Sequence, residues 1–162
     1  MKTLLLMRHA KSSWKDASMR DFERPLNERG RRSAPLMGRL MRRRKLQPDL
    51  VVSSPAERAR ETTALVTESA ALRSNVRYDE RIYEAGVAQL LEVVTQLDES
   101  AATALVVGHN PGMEELIASL TGASERMPTA ALACVVLEVE KWAKARPGAG
   151  RLEWVVRPKE LD

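Results

Sequence analysis

The sequence predicts an α/β protein: an open, mostly parallel sheet covered by helices on both faces. Three observations predict it. Short continuous apolar runs, TLLLM at 3–7, LVV at 50–52, ALVV at 104–107 and a longer run at 131–139, alternate with stretches whose apolar residues recur at helical spacing. Each run stops at polar, Gly or Pro residues, as strands buried on both faces do. The chain has 162 residues, 44% of them hydrophobic, and no Pro/Ser/Gly-rich linker, repeat or low-complexity tract, so one domain, 1–162, with one core is expected.

The elements follow in order. Residues 3–7 form a buried first strand, too short for a signal-peptide core or a membrane span. Asn27 caps a helix that carries Leu36, Met37, Leu40 and Met41 on one face, with Pro35 predicting a kink or a late start. After the strand at 50–52, Ser54 and Pro55 read as cap and first turn of a helix through Ala59, Thr62 and Val66. Leu90, Leu91, Val94 and Leu97 mark a third helix. Pro111 opens a fourth, bearing Met113, Leu116, Ile117 and Leu120 and ended by Gly122. Residues 151–157 alternate more loosely and read as an edge strand after Pro147, Gly148 and Gly150.

Composition narrows the partners only a little. The formal charge is +4 and the pI about 9.5, compatible with an anionic substrate, a nucleic acid or a membrane surface. Much of the excess sits in Arg39, Arg42, Arg43, Arg44 and Lys45, which has no interleaved aromatics and reads as a solvated helix face. The single cysteine, Cys134, excludes an internal disulfide and a thiolate zinc site, and a reducing cytoplasm is the expected location.

Sheets of this class bind ligands beyond the carboxyl ends of their strands. Arg8 and His9 follow the first strand, Ser53 and Ser54 with Arg58 follow the second, and Gly108, His109 and Asn110 follow the third. The chain has only two histidines, and both stand at such positions. Taken singly, each is ordinary: a solvated loop, a satisfied histidine, a helix-surface ion pair of Arg58 with Glu57 or Glu61. Together they fit phosphoryl transfer. The transferring group spreads negative charge over three oxygens, so catalysis is positioning plus a positive cradle. Arg8 and Arg58 supply planar forks, neutral His9 can attack phosphorus in line, and His109 can donate to a third oxygen, preferably as imidazolium. Neither histidine has an Asp or Glu at ligand spacing, so no metal is expected.

These residues resemble the histidine phosphatase superfamily, and within it the short SixA-type phosphohistidine phosphatases. Arg8, His9, Ala10 is similar to the family's Arg-His-Gly motif, with alanine in the glycine position. RPLNERG at 24–30, SSPAERARETT at 53–63 and VVGHNPG at 106–112 resemble its further motifs, in the right order. The resemblance implies a three-layer, phosphoglycerate mutase-like fold, a covalent phospho-His9 intermediate, no cofactor, and phosphate binding by Arg8, Arg58 and His109. It also points to a general acid: Glu80, in ERIY at 80–83, fits the segment that carries a glutamate in larger members. Glu84 lies close by, a surface pairing of Glu80 with Arg81 is the alternative, and a phosphoramidate needs no strong acid because its leaving imidazole can already be protonated.

The expected activity is hydrolysis of phosphohistidine on a partner protein, such as a phosphotransfer domain or phosphocarrier, with no nucleic acid or membrane partner. The alternative is a broad small-molecule phosphomonoesterase. Less in keeping with the residues is a non-catalytic phosphate or nucleic-acid binding module, since binding alone does not require an unprotonated nucleophile. Lys11, Ser12, Ser13 and Trp14 are expected at the pocket mouth.

Overall fold

The computed structural model describes residues 1–161. Six strands form one sheet: β1 (Lys2–Arg8), β2 (Leu50–Ser53), β3 (Asn75–Tyr78), β4 (Thr103–Gly108), β5 (Leu132–Leu137) and β6 (Gly150–Val156). Their spatial order is β3-β2-β4-β1-β5-β6. The pairings β2–β3, β2–β4 and β1–β4 are parallel, whereas β1–β5 and β5–β6 are antiparallel.

Four helices cover the sheet: α1 (Glu28–Arg43), α2 (Glu57–Ser69), α3 (Val87–Thr95) and α4 (Gly112–Thr121). Alternate strand residues point to opposite faces, so Leu5, Met7, Val51, Leu105 and Val107 pack under α1 and α2 with Met37, Met41, Ala59 and Val66. Leu4, Leu6, Val52, Ala104 and Val106 pack under α3 and α4 with Leu90, Val94, Met113 and Leu116. Three layers result. Among the described residues no helix is long and apolar enough to cross a membrane.

Asn27 and Gly122 bound their helices as expected, whereas Pro35, Ser54 and the segment 75–78 depart from expectation. Helix α1 runs through Pro35, and Asn27 caps it by accepting from Gly30 N at 2.9 Å. Helix α2 starts at Glu57, with Ala56 at the cap; the Ser54 hydroxyl accepts from Ala56 N at 3.2 Å and lies 2.7 Å from His109 Nε2, so it turns the chain ahead of the helix. Gly122 ends α4 in the left-handed conformation, φ 77°. Strand β3 was not anticipated: all four of its residues are exposed, so NVRY carries no apolar run.

One glycine places the first motif. Helix α1 lies so close to the loop after β1 that a Cβ on Gly30 would collide with the Lys11 carbonyl. Asn27 N donates to that same carbonyl at 3.0 Å.

Candidate active site

Strand register brings the two histidines together. Arg8 lies opposite Gly108 in the parallel β1–β4 pair, and His9 N continues the ladder by donating to Gly108 O at 3.0 Å. His9 and His109 are therefore neighbours one step beyond the strand ends, with ring centroids 5.0 Å apart. Ser54 N extends β2 in the same way, donating to Val107 O at 3.0 Å. This sets Ser54 Oγ 2.7 Å from His109 Nε2.

The sequence-expected residues Arg8, His9, Arg58 and His109 all line one cavity of about 240 Å³, along with Lys11, Ser12 and Trp14. Glu80 is not among its lining residues; it is exposed, in a 3₁₀ turn at Glu80–Ile82. Arg24, Asn110 and Thr129 also line the cavity.

The hydrogen bonds of His9 determine its chemistry. Its Nδ1 is 2.7 Å from the Ala10 carbonyl oxygen, which can only accept, so the proton sits on Nδ1 and the lone pair on Nε2. Burial pushes the His9 pKa down to about 3, against the Ala10 hydrogen bond and with help from His109, Arg58 and Arg8. His9 is therefore a neutral imidazole with a free Nε2 lone pair near neutral pH. Thr62 holds its loop in place: Thr62 Oγ1 accepts from Ala10 N at 2.9 Å and donates to Arg58 O at 2.7 Å, tying the loop after β1 to α2.

Burial, and then Arg58, lowers His109 to about 4, so in the free protein it is neutral and not the imidazolium that the sequence reading preferred. A bound dianion would push this equilibrium back toward the cation.

Asp21, Arg24 and Tyr83 complete the surroundings. Asp21 accepts from Arg58 at 3.0 Å, from Arg24 Nε at 3.1 Å and from Tyr83 Oη at 2.6 Å. Burial acts to raise its carboxyl, but these three donors outweigh it and hold the pKa at about 2. Tyr83 is raised to about 12 by burial and by Asp21, and its ring lies edge-on to His109 at 5.6 Å. Arg24 donates to Ser12 Oγ and stacks 3.5 Å from the centroid of the exposed Trp14 ring.

Sequence reasoning had a signal for two of these three, since Arg24 opens RPLNERG and Tyr83 closes ERIY; Asp21 sits in a polar loop with none. Among the described residues, Arg8 Nε, Arg58 Nε and His109 Nδ1 are buried without hydrogen-bond partners. Two unpaired guanidinium donors beside an unprotonated imidazole suit a tetrahedral oxyanion.

Residues 4–97 match the histidine phosphatase superfamily (branch 1). An uncharacterized protein of Mycobacterium tuberculosis is 36% identical over 157 residues, covering 90% of this chain and 96% of its own. A Nakamurella multipartitia structure that carries the name SixA is similar at a TM-score of 0.86, with 29% identity over 97% of this chain and 96% of that one. The protein histidine phosphatase SixA, solved with tungstate, gives 0.81 and 25% identity over 99% of both chains. With two histidines and two arginines converging at the ends of β1, β4 and α2, and with these matches across the sheet, the chain belongs to branch 1 of the histidine phosphatase superfamily.

Proposed function

We propose that the protein hydrolyses phosphohistidine on a partner protein, through a covalent phospho-His9 intermediate and without a metal, in one domain spanning 1–162. The observation that carries this is the His9 tautomer: Nδ1–H is committed to Ala10 O, leaving the Nε2 lone pair in a cavity lined by Arg8, Arg58 and His109. Further support comes from structural likeness to proteins named SixA. The β6 strand, from the far end of the chain, shares a sheet with β1, which favours one domain.

In the first step His9 Nε2 attacks phosphorus in line, and the bond to the substrate nitrogen breaks. The electron pair leaves with the substrate imidazole, which is stabilised by its own proton. Arg8 and Arg58 take the charge on the equatorial oxygens through fork geometry. The phosphoimidazolium at His9 keeps its Nδ1–H on Ala10 O. Water then attacks phosphorus, the N–P bond breaks, and Nε2 regains its lone pair as inorganic phosphate leaves.

The metal-free route is supported by the donor set. Among the described residues no group of three or more His, Cys, Asp or Glu side chains is placed to hold a metal ion. The two guanidinium groups do the charge neutralising that a cation would otherwise supply.

A second reading, hydrolysis of simple phosphate esters, is favoured by one observation: Asp21 brings a carboxylate to the cradle. Its pKa of about 2 makes it a charge holder and not a proton donor in the free protein, so esters with poor leaving groups should turn over slowly.

The test uses a phosphohistidine peptide and an aryl phosphate, with wild type and His9→Ala. Wild type should release phosphate much faster from the peptide, and the variant should lose about three orders of magnitude or more on both. An acid-labile phosphoryl group should be trapped on wild type alone. Comparable turnover by His9→Ala would remove the mechanism, and equal or faster release from the ester would remove the substrate assignment.

A further inference from the structure

The catalytic cavity does not end at its phosphate cradle. Lys11 and Thr129 line it and also line an adjoining cleft with Arg29, Ser33, Arg157 and Lys159. Arg29, Ser33 and Lys159 pass in turn into a cleft beside α1 lined by Arg32, Leu36 and Arg39. A continuous groove thus leads from the nucleophile along one side of α1.

Its charge is one-sided. Lys11, Arg29, Arg32, Arg39 and Lys159 are exposed, and none makes an ion pair among the described residues. The cations that are paired, Arg31 with Glu61 and Arg157 with Glu125 and Glu160, lie in or beside the same clefts. Among the described residues, no acidic side chain lines these two clefts; Glu28 lies near the active-site end, where Ser13 and Lys15 adjoin Arg29, and Glu114 and Glu125 line a neighbouring cleft. Arg29, Arg32 and Arg39 fall within about a quarter-turn of one helix stripe, and span about 15 Å along the axis. Mutually repelling, unpaired cations are costly to maintain on a helix, so a stripe that starts at the active-site mouth has the form of an anion-complementary surface.

We propose that this groove docks an acidic segment of the partner protein, flanking the phosphorylated histidine that enters the cavity. The inference rests on the phosphohistidine reading above and names the chemistry of the partner. A polypeptide suits the groove better than a nucleic acid. Its floor holds Pro35, Leu36 and Pro158, with no aromatic residue on which bases could stack. Half-buried apolar groups ringed by cations match a protein surface with carboxylates at its rim.

The experiment uses two synthetic phosphohistidine peptides that differ only in flanking residues, one rich in Asp and Glu and the other with Asn and Gln in their place. N-phosphorylated imidazole serves as the small substrate. The enzyme is compared with the triple variant Arg29→Glu, Arg32→Glu, Lys159→Glu, whose positions lie outside the catalytic cavity. At low salt, wild type should prefer the acidic peptide in kcat/KM by about tenfold or more. The triple variant should lose this preference, as should wild type at high salt, with turnover of phosphorylated imidazole unchanged.

Equal kcat/KM for both peptides in wild type, with His9-dependent turnover intact, would overturn the docking surface and leave the phosphohistidine assignment standing. Turnover of neither peptide alongside rapid ester hydrolysis would overturn both. A single-stranded oligonucleotide that inhibits wild type better than the unphosphorylated acidic peptide of equal charge, and loses that advantage in the variant, would overturn the assignment of the groove to protein.

Discussion

Lowering the pH from 7 to 5 should destabilise the free protein by an amount that two side chains set. In the folded state His9 titrates at about 3 and His109 at about 4, in each case chiefly because burial disfavours the cation. In the unfolded chain both return to the ordinary histidine value of 6.5. The unfolded state therefore binds more protons across the window between these values, and stability falls as pH falls.

From pH 7 to pH 5 each histidine contributes a loss of about 2 kcal/mol, and the pair roughly 3 to 4 kcal/mol. Any folded value at or below about 4 gives the same loss at pH 5, because the folded imidazoles are then still neutral. The window is unusually clean. The chain holds only these two histidines, and Asp21, at about 2, loses its contribution only at lower pH. Urea unfolding at pH 7, 6 and 5, at constant ionic strength and without phosphate, measures the slope. The double variant His9→Gln, His109→Gln should flatten it. A wild-type stability that changes by less than about 1 kcal/mol, or an undiminished slope in the double variant, would refute the buried neutral pair.

Asp21→Asn removes the anion that competes with phosphate for Arg58 and Arg24, so inorganic phosphate should inhibit at a three- to tenfold lower concentration, roughly a unit-charge effect at a partly screened site; weaker inhibition would show that Asp21 serves binding and does not oppose it. Glu80→Gln should change phosphohistidine turnover less than about twofold, because the side chain is exposed and does not line the cavity; a loss above tenfold confined to esters would make Glu80 their proton donor. Gly30→Ala should cost about 1–3 kcal/mol in urea unfolding, since the new methyl meets the Lys11 backbone, and unchanged stability would mean that α1 can shift away freely. Incubation with a chelator should leave phosphohistidine turnover unchanged, with loss and recovery on metal addition as the contrary result.

Much of the fold was legible because its central strands are buried on both faces and so appear as unbroken apolar runs. LLLM in β1 and ALVV in β4 are of this kind. Strand β3 was illegible for the opposite reason: NVRY pairs with β2 through its backbone while its side chains stay exposed. The Ser54–Pro55 pair misled in a similar way. Its composition suits a helix cap, but the hydroxyl accepts from Ala56 N and meets His109, and the helix begins at Glu57.

The order of residues along the chain names the groups available to do chemistry: two histidines and two arginines, each beyond an apolar run. It could also limit the helix starts, because a cap such as Asn27 acts on a backbone amide three residues away. What only the tertiary structure decided was how those groups are charged and which neighbours they answer to. The choice of Nδ1 as the protonated atom of His9 depends on the carbonyl of Ala10, whose own amide donates to Thr62 of α2. The clustering of Asp21 with Arg24, Arg58 and Tyr83 joins residues up to 62 positions apart. The physical reason is range: propensity and periodicity act over a few residues, whereas desolvation and charge act through space once the chain has packed.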